Sequence, residues 1–102
     1  KAIATYGNLS VVDSAFRDVP YNIGFIYLVY LQDFNKAINY FTEAIKKDPE
    51  FYQAFYNRGY AYELAGDFAK AREDYQKSLK IMVNYDKAIE GLNRLDAKMI
   101  RK

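Results

Sequence analysis

Few side chains in this sequence are of the types that perform acid–base, nucleophilic or metal chemistry. The chain has 102 residues, with no Cys and no His, so it lacks a thiolate nucleophile, the commonest general base and the commonest metal ligands. Glu73 and Asp74 are adjacent carboxylates, but neighbouring residues on a helix point in different directions and do not form a catalytic dyad. We therefore predict that both lie on a solvated helix face and that the chain is not an enzyme.

The other polar motifs favour structural roles. Lys46 and Lys47 close a predicted helix, where cations suit the negative end of the helix dipole. Asp33 and Asp67 each precede a Phe that opens an apolar stripe, so they are predicted to be helix caps rather than metal ligands. No glycine spacing matches a phosphate-binding loop. The sequence therefore predicts no metal and no cofactor.

Composition and charge narrow the class of protein. Hydrophobic residues make up 51% of the chain and charged residues 27%, which is sufficient for a buried core. Fifteen Lys and Arg against thirteen Asp and Glu give a net charge of +2, which argues against a nucleic-acid partner. The longest uncharged stretch, 19–32, is shorter than the roughly 20 apolar residues of a membrane span.

The starting residue and the lack of Cys bear on origin and compartment. The chain starts at Lys1 without an apolar signal segment, so we expect a processed chain or a piece of a longer one. Absence of Cys is compatible with cytosol and periplasm alike, so the compartment stays open.

Aromatic residues are unusually frequent. Eleven Tyr and seven Phe give 18% of the chain, without any Trp. Tyr combines an apolar ring with a polar hydroxyl and loses little rotamer freedom, so it serves both cores and contact surfaces. Without a catalytic residue set, this composition favours interaction over chemistry.

Apolar residues recur at helical spacing along the chain. Phe34, Ala37 and Phe41 share one helix face. Pro, Gly and Asp residues mark breaks near 32–33, 48–49 and 66–67. These patterns predict six helices over residues 1–13, 18–31, 34–47, 50–65, 68–83 and 85–101.

An internal repeat relates these helices. Tyr21-Asn22-Ile23-Gly24 recurs as Tyr56-Asn57-Arg58-Gly59 at an offset of 35 residues, whereas Asp33-Phe34 recurs as Asp67-Phe68 at an offset of 34. The first copy therefore holds one extra residue. We predict that it lies in the turn around 31–32, because turns tolerate insertions.

The same offset extends the repeat toward both ends of the chain. Lys1-Ala2-Ile3 stands 35 residues before Lys36-Ala37-Ile38. Near the other end, Ile89 and Leu92 belong to one apolar face of a helix whose remainder is charged, as in a terminal cap of a solenoid. The predicted organisation is a second helix of an incomplete N-terminal repeat (1–16), two full repeats (17–51 and 52–85) and a C-terminal capping helix (86–102).

This pattern resembles the tetratricopeptide repeat family. The resemblance rests on the 34-residue period and on small and aromatic residues at family positions, namely Gly24, Tyr27, Ala37, Phe41, Ala44 and Pro49, then Gly59, Tyr62, Ala71, Tyr75 and Ser78. Arg58 departs from the pattern, since the family usually has Leu there. The resemblance implies an all-α, right-handed α-solenoid of antiparallel helical hairpins, with about six helices.

Two glycines inside the predicted helices are expected to serve packing. Gly costs about 1 kcal/mol relative to Ala in a helix interior. We therefore expect Gly24 and Gly59 to admit a close approach of the partner helix at Ala37 and Ala71, with the aromatic rings of Phe41 and Tyr75 filling the wider part of the space between the helices.

The resemblance also implies a function and a surface. In this family the first helices of successive repeats line a concave groove that holds peptide ligands, so the chain is predicted to be a protein-interaction module for a partner peptide or protein. The groove positions carried over to this sequence are Tyr21, Phe25, Leu28, Gln53, Tyr56, Tyr60, Glu63, Lys87, Glu90 and Arg94. Some members of this family bind the C-terminal carboxylate of a heat-shock chaperone with Lys and Asn residues in this groove. Here Asn22 and Asn57 stand beside Tyr rather than Lys, which disfavours that function.

Two alternatives stay open. Tyr21, Tyr56 and Tyr60 could serve packing between adjacent helices instead of ligand binding. The chain could also be a structural module that homo-oligomerises through its unpaired terminal helices, with a homodimer formed through helix 1–13. The stripe Ile3, Tyr6, Leu9 and Val12 would then be covered by another copy.

Overall fold

The computed structural model describes the backbone of residues 16–100 and the side chains of residues 16–98. In this part of the chain five helices follow one another. Helix α1 covers 16–31, with an α-helical body over 16–26 and a π-helical last turn, Tyr27–Leu31. The others are α2 (Phe34–Lys47), α3 (Tyr52–Ala65), α4 (Phe68–Ile81) and α5 (Asp86–Ile100).

The helices pack in chain order as a repeat solenoid. Helix α2 contacts both α1 and α3, and α4 contacts both α3 and α5. The all-α solenoid prediction is therefore confirmed. The predicted helix 1–13 lies outside the described residues. No described helix combines the length and apolarity of a membrane span.

Two aspartates begin the second helices of the repeats, as predicted. The carboxylate of Asp33 accepts a hydrogen bond from the backbone N–H of Lys36 at 3.2 Å, and Asp67 accepts one from Lys70 at 3.2 Å. Each bond satisfies a backbone donor that the first turn of a helix leaves free. The caps therefore fix where α2 and α4 begin in both repeats.

The extra residue of the first repeat lies inside α1, and the prediction that it lies in the turn is wrong. Gln32 (φ 55°) and Gly66 (φ 91°) both adopt the left-handed conformation directly before a capping Asp. The two turns therefore have the same length. The N–H of Gln32 bonds to the carbonyl of Tyr27, five residues back, and this wider turn takes up the insertion.

The glycines leave room for the aromatic rings that were predicted beside them. A Cβ added to Gly24 would lie 2.9 Å from the ring of Phe41, and one added to Gly59 would lie 3.1 Å from the ring of Tyr75. Both rings are fully buried. Ala37 and Ala71, one helical turn earlier on α2 and α4, are also fully buried in the same clusters as these rings.

Candidate functional site

The first helices of the repeats meet along one side of the array. Between α1 and α3, the side-chain amide of Asn57 donates a hydrogen bond to the hydroxyl of Tyr21 at 2.8 Å. Between α3 and α5, Arg94 and Lys98 both reach Glu63. We call the surface formed by α1, α3 and α5 the inner face. The described residues enclose no pocket, so this is an open surface.

Tyrosines from α3 and the turn before α5 form the centre of the inner face. The ring of Tyr56 stacks on Tyr60 at 6.2 Å with an interplanar angle of 6°, and it meets Tyr85 edge-on at 5.6 Å. Tyr52 meets the same Tyr85 at 5.0 Å. Four-residue steps place Tyr52, Tyr56 and Tyr60 along one side of α3. We call these four residues the tyrosine cluster.

Burial raises the pKa of three tyrosines on the inner face. Burial raises the pKa of Tyr85 to about 12. It also raises the pKa of Tyr21 and of Tyr56, against the opposing effects of Asn57 and Arg94 respectively. The hydroxyls of Tyr21, Tyr56 and Tyr85 are therefore neutral across the physiological pH range.

A loss of stability is expected when the pH rises from 10 to about 12. In this interval an unfolded chain ionises its tyrosines at their ordinary pKa of 10.0, whereas Tyr85 stays neutral in the fold up to about 12. A raised folded-state pKa gives stability that is present below pH 10 and is lost through this interval. Denaturant midpoints across this range measure it, and Tyr85→Phe should reduce the loss. A midpoint that stays constant to pH 12 would contradict the prediction.

Glu63 joins α5 to the preceding hairpin. Its carboxylate accepts hydrogen bonds from the Tyr75 hydroxyl at 2.6 Å, from Arg94 Nε at 3.1 Å and from Lys98 Nζ at 2.9 Å. Burial would raise the pKa of Glu63, but the hydrogen bonds from Arg94, Lys98 and Tyr75 outweigh it and lower the pKa below its usual value. The residue is 4% exposed, so it stabilises the array and is not open to a partner.

The structure distributes the predicted groove residues over three environments. Leu28 is 3% exposed, in a core cluster with Ala37, Phe41 and Ala61, so Leu28 and Glu63 do not belong to the accessible surface. Half-buried side chains with an exposed edge are Tyr21, Gln53, Tyr56, Tyr60 and Arg94. Exposed side chains are Phe25, Lys87 and Glu90.

Among the cations predicted for the groove, Arg94 contacts the tyrosine cluster. Its guanidinium lies 5.4 Å from the centroid of the Tyr60 ring, in the range of a cation–π contact. The bond to Glu63 raises the pKa of this guanidinium. Lys87, Arg94 and Lys98 carry three positive charges against the two negative charges of Glu63 and Glu90, which leaves this end of the inner face mildly basic.

The carboxylate pair Glu73 and Asp74 is divided between solvent and core, which corrects the prediction that both are solvated. Asp74 is 5% exposed and accepts two hydrogen bonds from Arg58, from Nε and Nη2, each at 2.8 Å. Arg58 also donates to the hydroxyl of Thr42 at 3.1 Å. The departure of Arg58 from the family pattern pointed to this pair, because a cation at a core position needs an acidic partner.

Three further residues of the inner face were not predicted from the sequence. Tyr52 and Tyr85 complete the tyrosine cluster, and Lys98 shares Glu63 with Arg94. The four-residue spacing from Tyr52 to Tyr56 was a local signal for the first of them. Tyr85 and Lys98 come into place only through the packing of α5 on the hairpin before it.

Comparisons with known proteins agree with the repeat. A family model described as "Tetratricopeptide repeat" matches residues 25–87, which is more than half of the chain. A protein of Guillardia theta named "Uncharacterized protein ycf37" is 33% identical over 79 residues, covering 78% of this chain and 44% of that protein.

Two further relatives match a small part of their own length. A "Tetratricopeptide repeat and J domain-containing co-chaperone DNJ1" of Fusarium oxysporum is 36% identical over 64 residues, covering 63% of this chain and 12% of that protein. A "NADPH oxidase activator" of Dictyostelium discoideum is 27% identical over 71 residues, covering 70% and 12%. The chain thus spans less than half the length of these curated relatives.

Proposed function

The chain belongs to the tetratricopeptide repeat family, and from this membership we propose that it is a protein-interaction module whose inner face binds a partner peptide or protein. The family is generally a non-catalytic module for contacts between proteins. The names of two relatives, a co-chaperone and an oxidase activator, fit a module that acts through other proteins.

The observation that carries this proposal is an accessible apolar strip beside the tyrosine cluster. Tyr21, Phe25 and Val29 follow at four-residue steps, so they share the side of α1 that contacts α3 through the bond from Asn57 to Tyr21. Phe25 and Val29 are 39% and 45% exposed. Exposed apolar groups bordered by polar ones are typical of interaction sites.

The inner face offers complementary contacts to an extended or helical peptide. The partly exposed rings of Tyr56 and Tyr60 supply rigid apolar area, and their hydroxyls can donate to backbone carbonyls of a ligand. At the α5 end, three cations, Lys87, Arg94 and Lys98, outnumber the carboxylates Glu63 and Glu90 by one, so we expect the acidic portion of a peptide to lie there.

Tyr60→Ala is expected to weaken peptide binding by about 1–3 kcal/mol, or roughly 5-fold to 150-fold in Kd. Tyr60 is preferred to Tyr56, because Tyr56 lies 5.6 Å from the fully buried ring of Tyr75 and its loss would also lower stability. Peptides selected from a displayed random library on the immobilised chain serve as the probe, and fluorescence anisotropy gives the Kd.

Tyr40→Ala is the matched control for this experiment. Tyr40 is also half-buried, but it belongs to α2 and stacks on Tyr27 at 5.6 Å, away from the tyrosine cluster. Circular dichroism checks that both variants keep their helices. Equal losses of binding in the two variants, or none in Tyr60→Ala, would contradict the proposed site.

A further inference from the structure

Helix α1 carries a second apolar surface, on a different side from the inner face. Its residues fall at steps of three, four, three and four, which forms one continuous stripe along the helix. We call it the outer stripe, and it consists of Phe16, Val19, Ile23, Ile26 and Tyr30. Phe16, Val19, Ile26 and Tyr30 are all exposed in the described structure, and Ile23 is partly buried.

The corresponding stripe of α3 is covered from Phe51 to Ala61, whereas Ala65, the counterpart of Tyr30, is exposed. An offset of 35 residues relates Phe16, Val19 and Ile26 to Phe51, Ala54 and Ala61. The latter three are buried, and Phe51 and Ala54 form one cluster with Ala44 of α2. Phe16 and Phe51 are the same residue at the same repeat position, yet the first is 59% exposed and the second 4%. The outer stripe of α1 therefore corresponds to the face of α3 that is covered by α2.

Helix α5, at the other end of the described array, is built differently. Its side away from α4 carries the exposed polar residues Glu90 and Asn93, with Ile89 as one large apolar neighbour. A terminal helix of a solenoid needs such a polar outer side. Because α1 has an apolar stripe instead, its sequence is suited to a further covering helix and not to solvent.

We propose that residues 1–13 of this same chain cover the outer stripe, as the second helix of a preceding repeat. At the 35-residue offset, Lys1-Ala2-Ile3 matches Lys36-Ala37-Ile38, and Tyr6 and Leu9 match Phe41 and Ala44. Phe41 and Ala44 are fully buried residues of α2, the helix that covers α3. The segment thus has an aromatic residue at the position of Phe41 and a larger apolar residue at the position of Ala44.

A change of chemistry on both sides of the contact supports this assignment. Where α2 meets α3, Thr42 Oγ1 accepts a hydrogen bond from Arg58 Nη1 at 3.1 Å. At the same offset these positions are Gly7 and Ile23. A polar pair in one repeat is replaced by a small and an apolar residue in the other, so no polar group would be buried without a partner. With the outer stripe covered, the inner face is the apolar surface of α1 that stays available to a partner.

Hydrogen exchange of the 102-residue chain tests the proposal with a matched pair of variants. Ile26 and Val29 are 47% and 45% exposed and lie within one turn of α1. Ile26 belongs to the outer stripe, whereas Val29 lies on the inner face. In the wild type, amides within 2–13 should be protected. Ile26→Asp should accelerate their exchange by about tenfold or more, whereas Val29→Asp should leave it unchanged.

Sedimentation of the same samples identifies the chain that supplies the covering segment. A monomer with protected amides in 2–13 supports the proposal. Unprotected amides in the wild type, or equal effects of Ile26→Asp and Val29→Asp, would overturn it. A wild-type dimer that Ile26→Asp dissociates would also overturn it, because the outer stripe would then be covered by a second copy.

Discussion

Replacing Gly91 by Leu is expected to lower the free energy of unfolding by about 3 kcal/mol or more, at the upper end of overpacking effects. A Cβ at this position would lie 2.6 Å from two ring atoms of Tyr75. The ring has no room to move away, because Tyr75 is fully buried and its hydroxyl donates to Glu63 at 2.6 Å. Even Gly91→Ala should destabilise the chain, despite a gain of about 1 kcal/mol in helix propensity.

Asn93→Leu is the control for this prediction, since it places the same side chain two residues away on the exposed side of α5. Chemical denaturation followed by circular dichroism gives the free energy of unfolding of both variants. If Gly91→Leu were as stable as Asn93→Leu, α5 would not approach α4 as closely as the structure has it.

The buried ring of Tyr75 is enclosed by two glycines from different helices. Gly59 of α3 faces one edge of the ring, at Cδ1 and Cε1, and Gly91 of α5 faces the other, at Cδ2 and Cε2. Gly59 could be predicted from the repeat because Gly24 precedes it by 35 residues. Gly91 could not, because it stands 34 residues after Asn57 and so repeats no glycine.

The helices and their caps could be predicted because local sequence determines them. Asp33 and Asp67 each bond to an N–H three residues later, so the evidence for the cap lies within a few residues of it. The π-helical turn of α1 was missed for a related reason. The change of offset shows that a residue is inserted, but it does not show where the helix ends. Because the left-handed Gln32 and the cap at Asp33 keep the turn at its usual length, the extra residue lies inside α1.

The inner face could be predicted only in part. Alignment with the repeat positions of the family tells on which side of a helix a residue lies, but not which residues of other helices pack against it. Leu28 stands at a groove position, yet Ala37, Phe41 and Ala61 enclose it. Glu63 is engaged by Arg94 and Lys98, more than thirty residues further along the chain. Such long-range pairs arise from packing between repeats, and no local pattern specifies them.

Asp74→Ala is expected to cost about 3–5 kcal/mol of stability, because it would leave the charge of Arg58 largely buried without a partner. The side chains of Arg58 and Asp74 are 19% and 7% exposed, and two parallel bonds of 2.8 Å join them. Glu73→Ala is the matched control, since it removes the adjacent, exposed carboxylate. We expect a change within about 0.5 kcal/mol there, as for most surface substitutions.

The double variant Arg58→Leu with Asp74→Leu separates the value of the ion pair from the penalty of breaking it. Replacing both members of a buried pair by apolar residues is often neutral or stabilising, because neither charge then has to leave water. We therefore expect the double variant to be at least as stable as the wild type. Denaturation of Arg58→Leu, of Asp74→Leu and of the double variant, together with the wild type, completes a mutant cycle. A double variant that is less stable than Asp74→Ala would mean that the bond from Arg58 to Thr42, and not the charge pair, stabilises this part of the core.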